Sequence, residues 1–402
     1  MAVVITGFGA RSPLGCSYGE SLETLRTGTP CVGDIQNLDT RGYQHTAAGE
    51  IRRDGQVVRT DAGVDRKTFF LDQALEELSG RTGFTQRYRP GELMLNIGSG
   101  VDHFDIDRFI ASGESFPDGL LRGGTYHQLA ADMRALAAKW HFDAGCHLFA
   151  SACTASAQAI GLSWRLLRRG LAGAVVSGGS DAMITHPAYL GFSVLGALSA
   201  SNEPAPFKCR PCDLHSNGTV LGEASVAILM EDAARVPEGQ EILAEIVGYG
   251  CSMDAWSVTD PEPSGAAAAE AVRAALDEAG ITPEMIDCIH LHGTGTVKCA
   301  PAEYNCLYRI FGERLRDIPA YSMKGQVGHM IGSCTAVEML GVVYSLQNQV
   351  VLPTINFQTP HPEAPFRMVR GEPLHLPVRY ILKMNSAFGG HNTALIIKKW
   401  ER

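Results

Sequence analysis

Runs that read as buried β-strands alternate with segments that read as helices, and the alternation starts again near residues 235–255. Val3, Val4 and Ile5 open the first β-branched run, which Gly7 and Gly9 close. Further strand-like runs lie at 93–97, 147–150, 172–179 and 224–230, then at 241–249, 286–292, 320–322, 380–385 and 394–399. Between them, helices are expected over 18–28, 65–78, 127–140, 155–167, 186–196, 265–279, 301–312 and 333–347, where apolar residues recur at helical spacing. Such alternation implies mostly parallel sheets covered by helices. A chain of 402 residues also exceeds what one core usually supports. The expected architecture is therefore α/β, with two similar halves, 1–240 and 241–402, stacked as a five-layer α/β/α/β/α body. Residues 101–126, rich in Gly, Asp and Phe, read as a surface insertion. In open sheets of this kind, ligands bind beyond the carboxyl ends of the strands.

Composition narrows the function. A formal net charge of −9 argues against nucleic-acid binding. No charged–apolar–small leader opens the sequence, and no apolar run is long enough to span a bilayer, so no membrane association is expected. Eleven cysteines without framework spacing fit a reduced, cytoplasmic compartment. The single CxxC, Cys209 to Cys212, has no second pair and lies in a Pro-containing loop, so no metal centre is expected there. The lone Gly7-x-Gly9 lacks the spacing of a dinucleotide fingerprint.

Chemistry-bearing residues stand at the ends of expected strands, beside glycines. Cys153 falls at a tight turn before a helix, where backbone N–H groups and the helix dipole favour thiolate. His292, with Thr294 and Thr296, ends another strand. Lys324 and His329 follow a third, and Phe388-Gly389-Gly390 turns the chain between the last two strands. Each alone has an ordinary structural explanation: a small buried thiol, a surface histidine, a solvated lysine. His290 and His292 share a strand face and suit two metal ligands, but the sequence supplies no third.

Taken in order, the motifs say more. Val4-Ile5-Thr6-Gly7-Phe8-Gly9, Ser12-Pro13-Leu14-Gly15 and Asp65-Arg66 come first, then Ser151-Ala152-Cys153-Thr154-Ala155-Ser156. Arg210-Pro211-Cys212-Asp213, Gly222-Glu223 and His292-Gly293-Thr294-Gly295-Thr296 follow. Lys324, Gly328-His329, Ala336-Val337-Glu338 and Phe388-Gly389-Gly390-His391-Asn392 complete the series. The chain thereby resembles the elongating β-ketoacyl-acyl-carrier-protein synthases, condensing enzymes of the thiolase-like fold. That resemblance implies a Cys153 thioester with the growing acyl chain. His292 and His329 would bind the malonyl carbonyl and steady the enolate formed as carbon dioxide leaves. Backbone N–H groups of Cys153 and Phe388 would hold the oxyanion. Lys324, tied to Glu338, would tune the site, and Thr294 and Thr296 would bond the phosphopantetheine arm. Phe388, with Gly389 and Gly390, would gate the two half-reactions. Substrates would arrive on acyl carrier protein, with no further cofactor and no metal. Arg66 and Lys67 are the candidate docking residues. A dimer is expected through an edge strand at 172–178, either a homodimer or a heterodimer with a chain-length-factor-like subunit.

The sequence also departs from the family pattern. Ala300 stands where aspartate is usual, so the loop it braces must be held otherwise. Ser386-Ala387 replaces the usual Phe-Gly before the gate phenylalanine, Cys212 and Thr219 replace phenylalanines, and Val327 replaces threonine. These changes, with Gly295 in place of a frequent serine, favour a type II polyketide or polyene pathway over housekeeping fatty-acid elongation. The other readings are a chain-length-factor-like partner, which Cys153 opposes, and a Cys-His acyltransferase or thioesterase, which leaves His329 and Lys324 idle.

Overall fold

A computed structural model describes residues 1–61, 64–100, 103–104, 126–127 and 129–401. The insertion expected at 101–126 lies almost wholly outside the described residues. Ten strands build the body. The first half contributes β1 (Val3–Arg11), β2 (Leu93–Gly98), β3 (Gly145–Phe149), β4 (Ala174–Ala182) and β5 (Leu221–Asp232). The second contributes β6 (Ala244–Met253), β7 (Cys288–His290), β8 (Pro319–Tyr321), β9 (Tyr380–Ser386) and β10 (His391–Lys398). Their spatial orders are β1-β5-β4-β2-β3 and β6-β10-β9-β7-β8, the same permutation twice. The sense of each pair repeats too. β5 and β10 run antiparallel to both neighbours, and the remaining pairs are parallel. The two sheets meet where β1 pairs antiparallel with β6, Val3 to Ile5 against Ala244 to Ile246.

Seven helices matter for the layers: α1 (Arg66–Thr82), α2 (Leu129–Lys139), α3 (Ala155–Arg168), α4 (His186–Val194), α5 (Ala266–Ala279), α6 (Cys299–Phe311) and α7 (Cys334–Asn348). Strand alternation sorts the core. On β5, Val226, Ile228 and Met230 face the central core, while Ala227 and Leu229 face α1 and α2. On β10, Leu395 and Ile397 face the centre, while Ala394 and Ile396 face α5 and α6. Helices α3 and α7 lie in the centre, packed against both sheets. Most of α7 is buried all round, as a helix apolar on every face must be. This is the five-layer α/β/α/β/α order expected.

One expectation fails. The strand proposed as the dimer edge, 172–178, corresponds to β4, which is paired on both sides by β2 and β5. Among the described strands of that sheet, the outer one is β3, which leads to Cys153. A small, β-branched composition marks a strand buried in mid-sheet as readily as one covered by a partner. No helix of the described residues is long and apolar enough to cross a membrane.

The central helices sit close to the sheet because glycines make room. Gly98 and Gly179 are register partners on β2 and β4. A Cβ at Gly98 would fall 2.1 Å from the Ser156 backbone nitrogen, and one at Gly179 would fall 2.7 Å from Ser333 Cα. The starts of α3 and α7 therefore rest on bare backbone. Gly98→Ala should destabilise the fold by about 1–3 kcal/mol through overpacking. Gly80→Ala, on open helix surface, should be neutral or stabilise by up to about 1 kcal/mol. Denaturant titration of the two variants checks the contrast, and equal stabilities would contradict the close approach.

Candidate active site

The turn after β3 is tight. Ala152 adopts φ 48°, a left-handed conformation unfavourable for a residue with a side chain, and Cys153 follows at once. The Cys153 thiol is buried, and its Sγ lies 3.0 Å from His329 Nε2. Backbone N–H groups of Phe388 and of Cys153 itself are directed at the same sulfur. Burial nevertheless dominates and pushes the thiol up to about 12, against the pull of Lys324 and those N–H groups. The expectation of a resting thiolate is thus corrected: desolvation outweighs the helix terminus, and the resting group is a thiol.

His292 follows β7. Its backbone N–H and that of Gly293 donate to the Glu303 carboxylate of α6, at 2.5 and 3.1 Å. Glu303 thus braces the loop that Ala300 does not. Lys324 follows β8. Its Nζ lies 2.5 Å from Glu338 Oε1, 2.5 Å from the His292 carbonyl and 3.5 Å from His292 Nδ1. The other Glu338 oxygen accepts from Lys383 Nζ at 2.9 Å and from Asn385 Nδ2 at 3.2 Å. One carboxylate therefore serves two buried lysines. Burial alone would raise the Glu338 carboxyl, but Lys324 and Lys383 outweigh it and hold it well below the carboxylate range. Lys383 is pushed down to about 8 by burial, with Lys324 repelling it and Glu338 opposing the fall. Burial first, then Lys324, drives both His292 and His329 well below 6.5, so both imidazoles are neutral.

Cys153, His292, His329, Thr294, Thr296 and Phe388 all line one cleft of about 810 Å³, part of it open to solvent. The departures Thr219, Ser386 and Ala387 line it as well. Phe388 stacks on Phe192 of α4, with ring centroids 5.9 Å apart. Gly389 and Gly390 turn the chain behind it at φ 81° and 80°. Ligand atoms of Cys153, His292 and His329 lie within 4.8 Å of one another, the one grouping of metal-ligating spacing among the described residues. The Lys324 charge beside them opposes a cation. His290 is outside this group. It bonds the Leu291 carbonyl and packs edge-on against Tyr321, so its pairing with His292 as ligands fails.

The docking candidates also fail. Arg66 and Lys67 are buried, and Arg66 binds the Glu223 carboxylate through Nε and Nη2. A basic pair at a helix start reads as surface from sequence. Here the helix packs its first turn inward to neutralise a buried glutamate. Sequence reasoning missed Lys383, Asn385, Glu303 and Cys334. Lys383 did leave a signal, a lysine within the otherwise apolar run at 380–384.

A fold of two stacked sheets with a cysteine and two neutral histidines at one crevice defines a thiolase-like condensing enzyme. Residues 1–235 match the family model for the β-ketoacyl synthase N-terminal domain, and residues 243–358 match that for the C-terminal domain. The chain belongs to the β-ketoacyl synthase family, acyl-transferring ketosynthases. It is 31% identical over 411 residues to the 3-oxoacyl-[acyl-carrier-protein] synthase 2 of Staphylococcus aureus strain COL, covering 99% of this chain and 98% of that protein. A β-ketoacyl synthase from Burkholderia phymatum STM815 superposes with TM-score 0.85 at 27% identity, covering 100% of both chains. A type II ketosynthase solved with its acyl-carrier protein and bound to a hexaketide superposes with TM-score 0.88 over 99% of each chain, at 23% identity. This last likeness concerns the fold.

Buried neutral histidines set a pH limit on stability. His290, His292 and His329 are all held well below 6.5 in the folded chain. Unfolded, they take up protons near that value, so their stabilising contribution is full above it and is lost as pH falls. The loss is about 1.4 kcal/mol per pH unit for each histidine. Urea midpoints should therefore drop between about pH 7 and pH 5, before ordinary carboxylates protonate. A midpoint flat across that window would show that these imidazoles are not held neutral.

Proposed function

We propose that this ketosynthase carries out decarboxylative Claisen condensation on carrier-bound thioesters, with Cys153, His292, His329 and Lys324 as its working residues. The observation that carries the reading is the meeting of Cys153, His292 and His329 within 4.8 Å of one another, with burial and Lys324 favouring neutral imidazoles. A neutral imidazole N–H donates to a developing enolate without protonating its carbon. In the first half-reaction the Cys153 sulfur attacks the acyl thioester, and the thiol proton passes to the leaving pantetheine sulfur. In the second, the malonyl carboxylate leaves as carbon dioxide and its bonding pair moves into the enolate, held by His292 and His329. The enolate carbon attacks the Cys153 thioester. The N–H groups of Cys153 and Phe388, which act on the sulfur, are the donors proposed for the resulting oxyanion. Collapse expels the Cys153 thiolate, which takes up one proton, and its high proton affinity favours that return to the resting thiol.

Lys324 and Glu338 fix His292 from behind the cleft, while Thr294 and Thr296, hydrogen-bonded to each other at 2.8 Å, offer hydroxyls to the pantetheine arm. The repeated strand order supports a division into halves at 240/241. The partner proposed is an acyl carrier protein, and the assembly a homodimer or a heterodimer with a chain-length-factor-like subunit. Eleven free cysteines among the described residues fit a cytoplasmic setting. Gly295, with the departures at Ser386-Ala387, supports a polyketide or polyene pathway, with fatty-acid elongation as the competing assignment.

The test combines acyl- and malonyl-carrier protein and follows intact mass, released carbon dioxide and products. Acyl mass should appear on Cys153 and vanish in Cys153→Ala. His329→Ala should still accept the acyl group but lose at least about 100-fold in carbon dioxide release. Free acid without chain growth would turn the reading into a hydrolase. No acylation, even with a partner subunit, would remove the catalytic reading.

A further inference from the structure

Two consecutive residues at the start of α7, outside the motifs above, touch both histidine systems. Cys334 Sγ lies 2.8 Å from His329 Nδ1, on the opposite side of the ring from Cys153. Thr335 Oγ1 donates to Asn385 Oδ1 at 2.8 Å. The Asn385 Nδ2 in turn lies 3.3 Å from His292 Nδ1 and 3.2 Å from Glu338 Oε2. All seven side chains are buried. Which ring nitrogen of a histidine carries the proton is set by the partner of the other nitrogen.

For His292 the partners leave one solution. The Thr335 hydroxyl donates to the Asn385 carbonyl oxygen and the Glu338 carboxylate only accepts, so the Asn385 amide nitrogen faces His292. Lys324 Nζ, a pure donor, approaches the same Nδ1. Nδ1 must therefore accept, and Nε2 carries the proton on the cleft side. For His329 the logic runs from the sulfur. Once Cys153 carries the acyl group its sulfur has no proton to give, so Nε2, 3.0 Å from it, supplies the N–H. Nδ1 then needs a donor, which the Cys334 thiol supplies. Burial raises Cys334 well above its ordinary value, so it keeps its proton.

We propose that Cys334 and Thr335 are positioning residues that lock the two histidines as Nε2–H donors, His329 directly and His292 through Asn385. The function of that lock rests on the condensing reading. One turn of one helix then prepares both donors for the same enolate oxygen, and rotation or tautomerisation of either ring breaks a buried hydrogen bond.

The test uses the full chain with ¹⁵N-labelled histidine. Imidazole nitrogen shifts should show Nε2–H for His292 and His329 in the wild type acylated at Cys153. An Nδ1–H ring at either position overturns the proposal before any variant is made. In Cys334→Ala the His329 signal should become a tautomer mixture with His292 unchanged, whereas Thr335→Val should leave the His292 tautomer, which Lys324 still fixes, and shift its Nδ1 signal as Asn385 loses its anchor. Each should lower carbon dioxide release from malonyl-carrier protein about tenfold with KM within about twofold, as expected for one lost hydrogen bond. Cys334→Ser and Thr335→Ser should each restore most of the rate. An unchanged His329 tautomer in Cys334→Ala, an unmoved His292 Nδ1 signal in Thr335→Val, or no recovery with serine would refute the lock. A wild type with Nε2–H rings but no condensation would instead remove the condensing reading and leave the tautomer assignment standing.

Discussion

The site depends on a single carboxylate. Glu338 lies inside the molecule and is shared by two ammonium groups, Lys324 and Lys383. Removing one partner of a buried ion pair typically costs about 3–5 kcal/mol, because the other charge is left uncompensated. Here the loss would strand two. Lys324 reaches the carbonyl and the ring of His292, so the charge balance at Glu338 also decides where that imidazole stands. Asn385 links the same carboxylate to the other side of the ring. Burial keeps the histidines deprotonated, and the net positive charge behind them adds to it.

That arrangement requires elements from both halves to meet within a few ångströms. Cys153 comes from the end of β3, Lys324 from the end of β8, and Glu338 from α7 in the central layer. The meeting is possible because α3 and α7 lie on glycine backbone rather than on side chains. A second copy of the first half's topology supplies the opposite wall. Equivalent strand ends then point their turns at one crevice, and the halves specialise: one brings the nucleophile, the other the imidazoles.

Much of this was legible in the sequence for identifiable reasons. Buried β-branched runs closed by glycines marked the sheets, and the restart of the alternation marked the repeat. Asp65, where the expected helix begins, caps α1 by accepting from the Thr68 N–H. Cys153, His292, Lys324 and His329 stood out because polar chemistry at strand ends is conspicuous against apolar runs. What escaped has a common cause. Lys383, Asn385, Glu303 and Cys334 act through partners distant in sequence, and nothing local in a strand or helix pattern states which buried charge meets which. Arg66 misled in the same way, since its partner Glu223 lies 157 residues away. The edge-strand expectation failed because composition reports burial, whereas only pairing reports position in a sheet.

The high proton affinity of Cys153 has a consequence for the chemical life of the protein. Peroxides and alkylating agents react with thiolates far faster than with thiols. A nucleophile held as thiol until a carrier arm fills the cleft is quiet toward such reagents while idle. In the proposed reaction its reactivity would belong to the loaded complex, where substrate displaces water and the N–H donors meet negative charge. The same burial that costs the resting sulfur its ionisation thus gives the enzyme selectivity for the electrophile it is meant to meet.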